Sequence, residues 1–137
     1  DPHCASWSGL KRRLERKREA GARFVQTQMV MDPQVLERFC RDMAAPMELP
    51  VLAGVFLLKS ARNASFINQK VPGANIPDSL IARLDEADDP AAEGIAIAAE
   101  QVRRFTGIAQ GVHVMAVKAE ERIPEVLERA GLSSRPS

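Results

Sequence analysis

The stretch Pro50-Val51-Leu52-Ala53-Gly54-Val55-Phe56 decides the fold. It is apolar almost throughout, which is the composition of a strand in a parallel sheet covered on both faces. A sheet with one wet face would alternate polar and apolar residues instead. Upstream, Asp32-Pro33 combines an N-cap with proline at the first helical position. The helix it opens carries Val35, Leu36, Phe39 and Met43 on one apolar face. Before that helix, Arg23-Phe24-Val25-Gln26-Thr27-Gln28 is short and rich in β-branched and aromatic residues, so it reads as a strand. Ser8 is placed to cap a preceding helix over about residues 9–20, and Gly21 to end it.

Downstream the alternation continues. Ser60 is placed to cap a helix reaching about Gln69. Val71-Pro72-Gly73-Ala74-Asn75-Ile76-Pro77 is a turn-rich connection. Asp78 is the expected cap of a short helix bearing Leu80, Ile81 and Leu84. Asp89-Pro90 repeats the cap-plus-proline signal, and Ile95, Ala98, Val102 and Phe105 follow at helical spacing. Gly111-Val112-His113-Val114-Met115-Ala116-Val117 is the third strand. Pro124 begins a last helix and Gly131 ends it, and residues 133–137 form a tail expected to fray.

Strands separated by helices run parallel, because the crossover returns the chain to the same end of the sheet. Three strands leave two unpaired edges. A doubly wound sheet would carry a glycine-rich phosphate loop, and none occurs. The reading is therefore α/β, a partial TIM (β/α)₈ barrel. A complete barrel takes about 250 residues, against the 137 of this chain.

Composition narrows the function. Hydrophobic residues at 45% and charged residues at 27% imply a packed core rather than disorder. A net charge of +1 argues against nucleic acid as partner. No run approaches the roughly 18 apolar residues of a membrane span. The start, Asp1-Pro2-His3, has neither the basic nor the apolar region of a signal peptide. Cys4 and Cys40 are far apart, which suits a reducing, cytoplasmic setting. With His3 and His113 they form no metal-ligand spacing, so no metal is expected.

Several motifs, in order, resemble one family. Ala20-Gly21-Ala22-Arg23-Phe24-Val25-Gln26-Thr27-Gln28 resembles a strand of methylenetetrahydrofolate reductases, and Val71–Asp78 their "VPGV-x-IP" connection. Glu93-Gly94-Ile95 matches the start of their long helix, Gly111–Met115 the last barrel strand, and Pro124–Leu132 the closing helix. The resemblance runs from about Pro2 to Leu132, giving one unit over residues 1–132. It implies that these are about the last three βα units of the barrel.

It also implies a chemistry. In that family a flavin, usually FAD, passes a hydride to 5,10-methylenetetrahydrofolate and yields 5-methyltetrahydrofolate, a step of one-carbon metabolism that feeds methionine biosynthesis. NAD(P)H or another donor reduces the flavin. The resemblance gives Gln28 the pterin ring of the folate, and an amide has the donor and acceptor that a pterin edge needs. Asn63 stands where some members carry a glutamine contact to folate, and Ile67 where some carry a phenylalanine. Lys17 matches a flavin-contacting lysine, Arg16 sits beside it, and Arg13 lies one turn earlier. Pro2 belongs to a segment that lines the flavin, where the usual His and Glu are replaced. Leu10 stands where a flavin-binding aspartate is common. On this reading Gln28 and Lys17 face a common cleft. The family's catalytic acid lies on earlier strands, so no catalytic residue is assigned, and the chain by itself is expected to be inactive. The missing N-terminal barrel half, or another copy of the chain, would complete the sheet.

Each residue also has a plainer role. Gln28 suits a polar strand end, and the run Lys11-Arg12-Arg13 with Arg16-Lys17-Arg18 suits a solvated helix face. His113 alternates with Val112 and Val114, so it points into the barrel, as a core histidine or a ligand. Met29 and Met31 either line the site or close the core, and Trp7 covers either flavin or rim. The alternative to an enzyme part is a non-catalytic partial-barrel scaffold.

Overall fold

A computed structural model of the chain describes residues 7–71 and 74–132. Pro2, Cys4, the Pro72-Gly73 pair and the 133–137 tail lie outside the described residues. The elements are α1 (Trp7–Glu19), β1 (Val25–Met29), α2 (Pro33–Phe39), a π-helical turn (Cys40–Ala44), β2 (Val51–Phe56), α3 (Ala61–Lys70), α4 (Asp78–Glu86), α5 (Pro90–Thr106), β3 (Gly111–Met115), a 3-10 turn (Glu120–Arg122) and α6 (Ile123–Arg129). The strands form one parallel sheet in the order β1-β2-β3.

Three expected caps are in place. The Asp32 carboxylate accepts from Gln34 N–H at 2.9 Å, Ser60 Oγ from Asn63 N–H at 3.0 Å, and Asp89 from Ala92 N–H at 3.2 Å. Each satisfies a first-turn donor that has no partner within the helix. Gly21 (φ 104°) and Gly131 (φ 81°) sit where the chain leaves α1 and α6, in the left-handed region open to glycine. Two expected caps are corrected. Ser8 lies inside α1, which already begins at Trp7. Asp78 is the first residue of α4, and Pro77 is its cap, with φ −64° and ψ 149°. The ring of Pro77 fixes the entry angle, and Asp78 places its charge at the positive end of the helix.

The apolar face expected after Asp32 is buried at Leu36, Phe39 and Met43, but it is not one helix. Ala45 N–H reaches back to the Cys40 carbonyl at 2.8 Å, a wider π-type turn that carries Met43 into the core. β3 stops at Met115 rather than at Val117, which is exposed, and Lys118 then turns with φ 58°.

The sheet has one dry face. Val51, Ala53 and Val55 are fully buried against the helices, with Val112 and Val114 beside them. The long helix α5 adds Ile95, Ala98, Val102 and Phe105 to that layer, as its spacing predicts. The opposite face carries Leu52, Phe56, His113 and Met115, each only half-buried. The central strand is therefore covered on one face rather than on both. His113 stands on this open face, paired in register with Gly54.

A smaller cluster forms beyond the strand ends. Met31 and Leu58 leave β1 and β2 and pack with Ile67, Ile76, Leu84 and Ile97. This seats α3 and α4 over the C-terminal ends of the strands, where α/β folds place their sites. Arg83 links α4 to α5 through both oxygens of Glu100 and through Glu93 at 3.5 Å. Its hydrogen bond holds the Glu100 carboxyl below the usual range.

Candidate functional site

The site is built on an irregularity in β1. Gln26 pairs with Leu52, but Met29 pairs with Gly54, so β1 holds one more residue than its partner over this stretch. The extra residue is a β-bulge, a device that re-aims side chains beside functional sites. Thr27 makes it stable. Its buried hydroxyl accepts from Gly54 N–H at 2.9 Å and donates to the Gln28 carbonyl at 2.7 Å. A side chain thus replaces a ladder carbonyl, and the Gly54 carbonyl is still taken by Val30 N–H at 3.0 Å.

Gly54 is the other half of the device. A Cβ built there would lie 2.5 Å from the Gln28 carbonyl oxygen and 2.8 Å from that of Thr27. Only glycine lets the bulged backbone approach this closely. Removing the Thr27 hydroxyl tests the pair. Thr27→Val is isosteric and strands the buried Gly54 N–H, so a loss of about 1–3 kcal/mol is expected. Urea unfolding of the two chains measures it.

The bulge turns Gln28 outward while Thr27 stays buried. Gln28 lines a cleft of about 350 Å³ with Met29, Phe56, Met115, Val71 and Ala74. Phe56 and Met115 are register partners on β2 and β3, so the floor crosses the sheet. Val71 and Ala74 form a wall from the α3–α4 connection. A mostly apolar concavity with one amide suits a flat heterocycle whose edge needs a donor and an acceptor.

Lys17 and Arg13 lie elsewhere. Together with Gln26 and Thr27 they line a cleft of about 110 Å³ between α1 and β1. The amide and the cation therefore occupy separate clefts on either side of the bulge, not one common cleft. Four-residue spacing puts Arg13 and Lys17 on one face of α1, while Arg16 is exposed and outside that lining. None of the three pairs with a carboxylate among the described residues. Free cations of this kind fit the diphosphate of a flavin nucleotide. The space beside them is too small for its ring, which would need other walls.

Most of the remaining candidates are engaged within the fold. Asn63 Oδ1 accepts from Lys59 N–H at 3.2 Å, so its acceptor serves the start of α3 and only its amide N–H₂ is left for a ligand. Ile67 is core. Met29 lines the cleft, whereas Met31 is buried with Gln101 Nε2 3.3 Å from its sulfur. Trp7 packs on Phe39 with centroids 6.5 Å apart, under the Arg38 guanidinium at 4.2 Å. Among the described residues no three His, Cys, Asp or Glu side chains gather as a metal site, and no helix is long and apolar enough to cross a membrane. Sequence reasoning missed Thr27, Phe56, Met115 and Asn68. Gly54 alone carried a signal, as a glycine inside an otherwise apolar strand.

Comparison with known families matches the methylenetetrahydrofolate reductase model to residues 1–131. The chain belongs to the methylenetetrahydrofolate reductase family. A probable methylenetetrahydrofolate reductase (NADPH) of Caenorhabditis elegans is 28% identical to it over 138 residues. That match covers 96% of this chain and 21% of the nematode protein, so the chain spans about a fifth of that relative. A solved structure of an uncharacterized protein from Clostridium thermocellum, which binds two copies of 5-methyl-5,6,7,8-tetrahydrofolic acid, matches with a TM-score of 0.61. Identity there is 16%, over 88% of this chain and 46% of the clostridial one, and the likeness is one of fold.

Proposed function

We propose that this chain is the folate-holding part of a flavin-dependent reductase that converts 5,10-methylenetetrahydrofolate to 5-methyltetrahydrofolate, within one-carbon and methionine metabolism. The observation that carries this is Gln28, turned by the bulge into an apolar cleft at the C-terminal ends of parallel strands. Family membership supports the reaction, and the folate bound by the clostridial neighbour supports the ligand. In this reading the three strands are the last of a (β/α)₈ barrel. The unpaired edges of β1 and β3 and the open face at Leu52 and Phe56 await the remaining strands, from an N-terminal half or a second copy.

The residues divide the work. Gln28 orients the pterin by hydrogen bonds to its edge, Phe56 and the methionines pack on its face, and the Asn63 N–H₂ is available to the rest of the folate. Lys17 and Arg13 hold the diphosphate of FAD, and only the family resemblance adds Arg16 and Pro2 to that group. The flavin, when bound, supplies the hydride, and NAD(P)H restores it. The acid and the ring-binding walls come from strands outside this chain, so the chain orients and excludes water rather than catalysing alone.

Titration calorimetry with 5-methyltetrahydrofolate tests the reading. Gln28→Ala is expected to weaken binding about tenfold, the worth of one or two amide hydrogen bonds. Gln28 is exposed, so stability should stay within about 0.5 kcal/mol. Equal affinity in both chains would remove Gln28 from the site, and no binding by either would favour the non-catalytic scaffold.

A further inference from the structure

We infer that Asn68 is a positioning residue for the folate cleft, an inference that rests on the folate reading above. Asn68 is exposed on the last turns of α3, yet both ends of its amide are committed. Nδ2 donates to the Ile76 carbonyl at 3.0 Å, and Oδ1 accepts from Ile76 N–H at 2.9 Å. The side chain thus pairs with Ile76 as a neighbouring strand would, using one donor and one acceptor. Ile76 itself is buried in the small cluster above the strand ends, so its backbone groups need partners that water does not supply.

This pairing governs the wall of the cleft. Val71 and Ala74, which line it opposite Gln28, lie between Asn68 and Ile76 in sequence. Val71 N–H is tied to the Ile67 carbonyl at 2.9 Å, and Ala74 N–H to the Val71 carbonyl at 3.1 Å. Asn68 closes the far end of the same loop. Without it the segment is anchored at its start and released where it enters α4. A wall free to move leaves the Phe56 floor and the Gln28 amide in place but no longer shapes the space between them.

The test uses the 137-residue chain, unaltered and as Asn68→Ala, with hydrogen exchange read residue by residue and 5-methyltetrahydrofolate as the titrant. Exchange at Ile76 N–H is expected to rise about tenfold or more while Ala53 and Val55 keep their rates, and folate affinity to fall about tenfold. The isosteric Asn68→Asp provides the rescue. Its acid form restores both bonds, so its affinity relative to the unaltered chain recovers as pH falls through about 4, whereas Asn68→Ala stays weak. Unchanged exchange at Ile76, a rise spread over β2, or unchanged folate affinity in Asn68→Ala overturns the inference while leaving the Gln28 site standing. An unaltered chain that binds no folate overturns both.

Discussion

Gly94→Ala is expected to cost at least about 3 kcal/mol of stability, because the added methyl runs into backbone. A Cβ at Gly94 would lie 1.8 Å from the Leu58 carbonyl oxygen and 2.9 Å from its carbon. Both are backbone atoms, so no rotamer change relieves the overlap. Either α5 moves off the sheet, opening the layer where Ile95, Ala98 and Val102 pack, or the chain after β2 moves. Alanine would favour the helix by about 1 kcal/mol in intrinsic propensity, and the overlap outweighs that gain. Urea unfolding should show a much lower midpoint. A loss under about 1 kcal/mol would mean that α5 does not sit this close to Leu58.

Gly54→Ala is expected to be nearly as costly, about 2–3 kcal/mol, and to abolish folate binding rather than weaken it. The added carbon would press on the Gln28 and Thr27 carbonyls, again backbone. The cheapest escape is to undo the bulge, which turns Gln28 away from the cleft. Gly111→Ala is the matched control on the next strand. Its added carbon meets Leu52 Cδ2 at 2.7 Å, the far end of a side chain that can rotate. It should therefore lose less stability and keep folate affinity. If Gly54→Ala binds folate as the unaltered chain does, the bulge does not aim Gln28.

These two glycines mark how far the sequence could be read. Strand direction followed from the β/α alternation, because a crossover helix leaves a parallel neighbour as its outcome. Asp32, Ser60 and Asp89 were readable as caps because each side chain acts within three residues of itself. Gln28 was readable as a strand-end amide, and the family resemblance gave it a ligand. What could not be read depends on contacts distant in sequence. Thr27 looks like any β-branched strand residue until Gly54, 27 positions away, brings its N–H to the hydroxyl. The apolar run Val51–Phe56 suggested two covered faces, but composition does not say whether the covering layer belongs to the same chain. Lys17 and Gln28 were joined in one cleft because both resemble ligand contacts. The structure separates them, because α1 packs behind β1 while the bulge turns Gln28 into the cleft beside Val71 and Ala74. Asn68 offered no signal, since an exposed asparagine near a helix end is commonplace.

A crystal structure of the chain with 5-methyltetrahydrofolate decides whether Gln28 holds the pterin. The pterin is expected between Phe56 and the side formed by Val71 and Ala74, with its edge within about 3 Å of the Gln28 side-chain amide. A folate held anywhere else, or a pterin bound there with Gln28 turned to solvent, would contradict it.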